Sequence, residues 1–235
     1  MNVILFEPDE VGETIILDDA DRRARHLRSV LRTSTGSEVR IGAIGGRLGT
    51  ARVRLDASSI ALTDVTLDHD PPPPLPLTLV LALPRPKVLN RVIASVASMG
   101  IKQIHLINSW RVDKAYWKSP KLERANLRVQ SVIGLEQGVD TILPEIVPHR
   151  LFRPFVEREL EAVAGDSVRL LAHPRDAEDC PRGIDSPVTL VIGPEGGFIE
   201  AEIESLRARK FSAVRIGPRV LRVETAVAAL IGRLT

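Results

Sequence analysis

An α/β protein with a separate β-rich N-terminal part is the fold class the sequence predicts, and three observations predict it. A run of prolines interrupts the chain after about seventy residues. Short segments of β character precede that run. Continuous apolar segments alternating with helical ones follow it.

The proline run is Pro71-Pro72-Pro73-Pro74-Leu75-Pro76. Consecutive prolines carry no amide donors and favour extended polyproline geometry, so this stretch reads as a stiff connector between residues 1–72 and 73–235. In the first part, 18–32 reads as a helix with Leu27, Val30 and Leu31 on one stripe. Stretches 38–44, 49–55 and 59–67 have β character, and Gly45-Gly46 is a hairpin signal.

After the connector, Leu77–Leu83 is a continuous apolar run, as in a strand buried on both faces. Val88–Met99 has helical periodicity and ends at Gly100, and strand 103–107 completes a βαβ unit. Ser119-Pro120 opens a helix toward Gln137, and another spans 151–164. Strands 168–172, 188–192 and 213–216 alternate with helices 200–210 and 224–234. Such alternation predicts a mostly parallel sheet covered on both faces.

Composition narrows the function. An apolar content of 44% with mixed charge fits a packed core, and no apolar run approaches bilayer length. The acidic turn of MNVILFEPDE is unlike a secretory leader, and a single cysteine, Cys180, excludes an internal disulfide or a zinc cluster. A cytoplasmic protein without metal is expected. The net charge of +2 conceals two basic blocks. Between Arg22 and Arg54 nine arginines face one acid, Glu38, and between Arg85 and Arg128 ten cations face Asp113 and Glu123. Each block reads either as a solvated face or as a polyanion-binding surface. Arg23, Arg25, Arg28 and Arg32 are the RNA-binding candidates in the first.

The segment from Ser109 to Lys118 holds every Trp and Tyr of the chain, interleaved with cations. Rings beside cations suit unpaired RNA bases, and Arg111, Lys114 and Trp117 are the candidates there, although one of the three rings is expected in the core.

In parallel sheets, ligands bind beyond the carboxyl ends of the strands. Three such ends carry unusual loops: Leu170-Leu171-Ala172-His173-Pro174; Ile192-Gly193-Pro194-Glu195-Gly196-Gly197-Phe198; and the run Ile216-Gly217-Pro218-Arg219-Val220-Leu221-Arg222-Val223-Glu224-Thr225-Ala226. The second is neither a dinucleotide fingerprint nor a P-loop, and by itself reads as a tight strand-to-helix turn or a ligand cradle. Arg222 and Glu224 read as a surface ion pair or as chemistry at the mouth of the same region, if strands 188–192 and 213–216 are close neighbours. His173 reads more simply as a loop residue bonded to backbone than as a base, and Cys180 as inert.

Together, in this order, the three loops resemble the knotted SPOUT class of RNA methyltransferases. Within it they resemble the RsmE family of 16S rRNA (uridine-N3) methyltransferases, as does His26-Leu27-Arg28-Ser29-Val30-Leu31-Arg32. The resemblance implies an N-terminal PUA-like β-barrel and a C-terminal domain with a trefoil knot. It implies S-adenosylmethionine held by Leu171, His173, Gly193, Pro194, Glu195, Gly196, Ile216, Gly217 and Leu221. It also implies a homodimer and 16S rRNA of the small ribosomal subunit as partner. For that reaction Arg222 is the catalytic candidate for stabilising charge on the uracil carbonyls, and Glu224 either orients Arg222 or acts as the base. Val223 stands where many members have threonine, and Glu136-Gln137 runs into Gly138-Val139-Asp140-Thr141 rather than an arginine-containing stretch. The rival readings are a member of the class acting on another base, and an RNA-binding assembly protein without turnover.

Overall fold

Strand pairing begins well before the first β segment expected from the sequence. The computed structural model describes residues 2–235 and divides into two units. The first runs to Pro73 and includes Val132–Leu143. In it, β1 (Ile4–Phe6) and β2 (Ile15–Asp18) precede helix α1 (Arg22–Ser29), followed by β3 (Glu38–Ala43), β4 (Leu48–Leu55) and β5 (Ser59–His69). The helix is shorter than 18–32: at its start Ile15–Asp18 pairs antiparallel with β5, and at its end it stops at Ser29, ahead of Arg32 at φ +50°. Asp21 then caps the helix, its carboxylate accepting the Arg23 N–H at 2.7 Å.

The five strands form one curled sheet in the order β1-β3-β4-β5-β2, with β1 parallel to β3 and the rest antiparallel. Its concave face closes over Ile4, Phe6, Leu17, Leu27, Ile41 and Leu62. The expected hairpin at Gly45-Gly46 is present, with Gly45 at φ +75°. Where β4 meets β5 the chains approach so closely that a Cβ on Gly49 would lie 1.9 Å from the Thr66 carbonyl oxygen. Gly49→Ala therefore forces the two strands apart, and thermal or urea unfolding should report a loss of about 1–3 kcal/mol.

Val132–Leu143, an element of this first unit, lies beyond the proline connector in sequence. Leu135 packs with Val3 and Leu5. The buried Glu136 carboxylate receives both Nη atoms of Arg22 at 2.8 Å, a bidentate pairing.

The second unit carries β6 (Leu77–Ala82), α2 (Pro86–Ser98), β7 (Gln103–Ile107), the start of α3 (Arg124–Gly138), β8 (Glu145–His149), α4 (Phe152–Arg158) and α5 (Leu160–Ala164). It continues through β9 (Val168–Ala172), β10 (Glu178–Asp179), β11 (Val188–Ile192), α6 (Glu200–Arg207), β12 (Ser212–Arg215) and α7 (Val223–Leu234). All its strands pair in parallel, in the order β10-β12-β9-β11-β6-β7-β8. The mixed α/β fold with a parallel sheet thus matches the expected class.

The central strand β11 is buried at every position, which is why its sequence, VTLVI, is nearly all apolar. β8 was not anticipated, because Pro148 weakens its signal; as an edge strand it tolerates a residue without an amide donor. Ser119 caps only a single 3₁₀ turn, Pro120–Leu122, and the α-helix itself starts at Arg124. The expected helix 151–164 is divided at Glu159, and the one at 200–210 ends by Arg207, before Lys210 at φ +65°. No helix among the described residues is long and apolar enough to cross a membrane.

Candidate active site

Five adjacent parallel strands, β12-β9-β11-β6-β7, present their carboxyl ends at one edge of the sheet. Ile192 is in register with Ala172 on one side and Leu81 on the other, and Ala82 with Ile107. The three loops expected from the sequence therefore leave the same edge. The strands carrying the second and third are not neighbours, however: β9 lies between β11 and β12. One intervening strand separates them by about 10 Å, so the first loop, with His173, sits in the middle of the trio.

The glycine loop 193–199 is held from three directions. Pro194 O accepts the Gly197 N–H at 2.8 Å, with Gly197 at φ +70°, a conformation that favours glycine. Phe198 turns inward, 5% exposed, with its ring 3.1 Å from where a Cβ on Gly193 would lie. The exposed Gly196 carbonyl accepts from the Arg111 guanidinium, whose Cδ lies 3.1 Å from a Cβ built on Gly196. Glu195 reaches back to the next strand end, its Oε1 accepting the Arg85 N–H at 3.0 Å.

Beneath this loop lies a carboxylate that the sequence reading did not single out. Glu202 is 6% exposed. It accepts from Ser109 Oγ at 3.2 Å, Trp110 N–H at 2.8 Å and Ile199 N–H at 3.1 Å. A glutamate three residues after a helix N-cap is a recognisable capping signal, but nothing in the sequence foretells its bonds to residues 109 and 110.

At the third loop, residues 217–222 are exposed, and Gly217 has φ +62°. Arg222 is the N-cap of α7, its carbonyl accepting the Ala226 N–H at 2.8 Å, and its side chain is exposed. Glu224, in the first turn of α7, lies 3.8 Å from Arg91 of α2. Leu221 is 37% exposed and Ile216 half-buried, leaving apolar surface beside the glycine turns.

Several candidates stand differently from the sequence reading. Leu171 is fully buried within β9, so its side chain belongs to the core and only Ala172 and His173 reach the edge. His173 continues the ladder through its N–H to Val214 O, and its Nδ1 lies against Arg175 O, which is the simpler of the two readings. Trp117 is the core ring of its segment: it is 8% exposed, its indole N–H donates to Asn108 Oδ1 at 2.9 Å, and Arg150 lies over its face at 5.5 Å. A base cannot stack on a ring already covered on that face, and Trp110, 80% exposed, is the aromatic that faces solvent.

Arg23 also departs from its expected role. Its guanidinium pairs with Glu10 at 2.6 Å and Asp21 at 2.8 Å and lies over the Phe6 ring at 4.6 Å, so its charge is spent inside the first unit. Arg28 is bonded to Asp19 Oδ1 and to two backbone carbonyls, whereas Arg25 and Arg32 are exposed, as are Arg111 and Lys114. Cys180 is buried, and burial pushes its thiol above the usual range, in keeping with an inert residue.

A parallel sheet in which two strands flanking β9 end in glycine turns, with an arginine and a glutamate opening the last helix, defines the class. Residues 71–235 match the RNA methyltransferase domain family. The chain belongs to the ribosomal RNA small subunit methyltransferase E family, being 32% identical to the Treponema pallidum member over 97% of this chain and 88% of that one. A Borreliella burgdorferi relative, ribosomal RNA small subunit methyltransferase E 1, is 24% identical over 97% of this chain and 95% of its own.

The fold is shared with solved structures. The Neisseria gonorrhoeae ribosomal RNA small subunit methyltransferase E, bound to S-adenosyl methionine, superposes with TM-score 0.70 at 22% identity, covering 98% of this chain and 95% of that one. A probable rRNA-methyltransferase from Porphyromonas gingivalis gives 0.72 at 19%, with coverage of 98% and 95%.

Proposed function

We propose that this chain methylates N3 of a uridine in 16S ribosomal RNA, with S-adenosylmethionine as donor, at the edge formed by loops 173–177, 193–199 and 216–222. The observation that carries the reading is the convergence of these three loops on one sheet edge in a chain of this family. The residues fit such a donor. Gly217, with nothing within 4 Å of where a Cβ would stand, leaves backbone uncovered for an adenosine to approach, and Ile216 and Leu221 offer apolar surface beside it. His173, Gly193, Pro194, Glu195, Gly196, Ile216, Gly217 and Leu221 would hold it, and Leu171 would serve only by supporting β9 from within.

When bound, the sulfonium supplies an activated methyl group with a good leaving group already attached. What remains for the protein is alignment, worth up to about 7–11 kcal/mol, and management of the uracil N3 proton. Arg222 presents a permanently charged, planar fork to the uracil carbonyls and stabilises the negative charge that develops as N3–H is lost. Glu224, 3.8 Å from Arg91, is the carboxylate at this helix entrance that would accept that proton.

The finer architecture belongs to the same proposal. Residues 1–72 act as a PUA-like RNA-binding domain, and 73–235 as a SPOUT-like methyltransferase domain with a trefoil knot. The protein works in the cytoplasm as a homodimer on the small ribosomal subunit. Arg25, Arg28, Arg32, Arg111 and Lys114 contact phosphates, and Trp110 takes the stacking role first assigned to Trp117. Trp110→Ala should raise the KM for RNA by a factor matching the ~1–3 kcal/mol of one stacked base, with the melting temperature unchanged.

The test is to incubate the protein with labelled S-adenosylmethionine and small subunits lacking the modification, then identify the methylated nucleoside by mass spectrometry. Label in 3-methyluridine is expected. Cofactor binding without label in 16S rRNA would move the assignment to another RNA, and absence of cofactor binding would favour the non-catalytic reading.

A further inference from the structure

Helix capping alone does not account for Glu202. A glutamate at this position normally reaches back to the N-cap amide, and its bond to Ile199 N–H does that. Such a cap works as well in solvent. Here the carboxylate is 6% exposed, and burying a charge is costly unless its acceptor positions are filled. They are filled from another strand: Ser109 Oγ and Trp110 N–H belong to the turn after β7, more than ninety residues earlier in the chain. The turn so held is the one that presents Trp110 to solvent and sends Arg111 to the Gly196 carbonyl.

We infer that Glu202 is a positioning residue that locks the Trp110–Arg111 turn and the glycine loop 193–199 into one unit, so that occupancy of the methyl-donor loop and the posture of the base-facing turn are coupled. This rests on the proposed function for what each side binds, while the lock itself is a property of the protein alone. Each half reports on the other. Straightening the 109–111 turn withdraws Arg111 from Gly196, and reshaping 193–199 shifts the carboxylate that holds Trp110. Allostery of this kind is a reciprocal coupling free energy between two loops sharing one buried anchor.

Glu202→Gln tests it. An amide group offers only one acceptor oxygen, so one of the two backbone N–H groups now faces a donor. Amide hydrogen exchange on the protein without cofactor is the first readout. The lock predicts faster exchange in both 109–111 and 197–199, whereas exchange altered only at 199–202 would mean that Glu202 merely caps α6, overturning the inference. The second readout is titration with S-adenosylhomocysteine, followed by fluorescence of the exposed Trp110 in a Trp117→Phe background. The parent should show a change in Trp110 emission on binding, and Glu202→Gln should lose it while its Kd rises about 3–10-fold, as expected for the net loss of one ordinary hydrogen bond.

Ser109→Ala, which removes one donor and leaves the capping bond intact, should weaken binding in the same direction and keep the melting temperature. An unchanged Kd and unchanged emission response in both variants would overturn the lock. If the parent itself binds no S-adenosylhomocysteine, the functional reading fails, and the exchange pattern still decides the lock.

Discussion

Arg222→Ala is expected to lower the single-turnover rate of methyl transfer by about 10²–10³-fold, the usual consequence of removing one donor aimed at developing negative charge. Cofactor affinity and melting temperature should stay at their parental values. Arg222 is exposed, and it holds α7 through its backbone carbonyl, which alanine retains. Arg222→Lys should recover only part of the rate, because an ammonium keeps the charge but loses the planar pair of donors. Full turnover in Arg222→Ala would remove this residue from the mechanism and leave the α7 entrance with Glu224 alone.

Acid should destabilise this protein well before its carboxylates titrate, and His105 is the reason. The residue is buried in β7, with its Nδ1 2.9 Å from His149 Nε2, while His149 Nδ1 lies 3.2 Å from Glu159 Oε2. Glu159 accepts from His149 Nδ1–H, so His149 Nε2 is left as an acceptor and His105 Nδ1–H donates to it. Both rings are neutral in this chain. Burial, reinforced by the neighbouring His149, pushes His105 down to about 4, and burial likewise lowers His149.

The folded-state value of His105 lies below the unfolded one, so the unfolded chain binds the extra proton first. The stabilisation is complete above pH ~6.5 and is lost progressively as pH falls toward the folded value, by up to about 3 kcal/mol. Melting temperatures measured between pH 7.5 and 4.5 should fall across that window, and His105→Gln should flatten the dependence. A parental profile flat from pH 7 to 5 would show that the pair tolerates charge. The effect is local to a consequential place: the His149 carbonyl accepts the Asn108 N–H, and Asn108 holds the Trp117 indole.

How much of this was legible in the sequence differs from element to element. β6, β7, β9 and β11 were readable because inner strands of a sheet covered on both faces are mostly apolar. β1, β2 and β8 were not, being too short or interrupted by proline for their periodicity to stand out. The glycine turns at 193–197 and 217 were legible, since steep turns at strand ends need glycine and proline, whereas the contact of Glu224 with Arg91 was not. Burial was invisible: Trp110 and Trp117 are the same residue in similar surroundings, and only packing puts one in solvent and the other in the core. Arg23 and Arg25 look alike in sequence, yet one is consumed by Glu10 and Asp21.

The sequence by itself determined the α/β class, the break at the prolines, the strand-end loops and the family, because each is written in local pattern and ordered motifs. Tertiary structure alone decided that β9 separates the second and third loops, that Val132–Leu143 joins the first unit, and that Glu202 binds Ser109 and Trp110. Strand order, burial and long-range pairing depend on which distant segments meet, and no local window of residues contains that information.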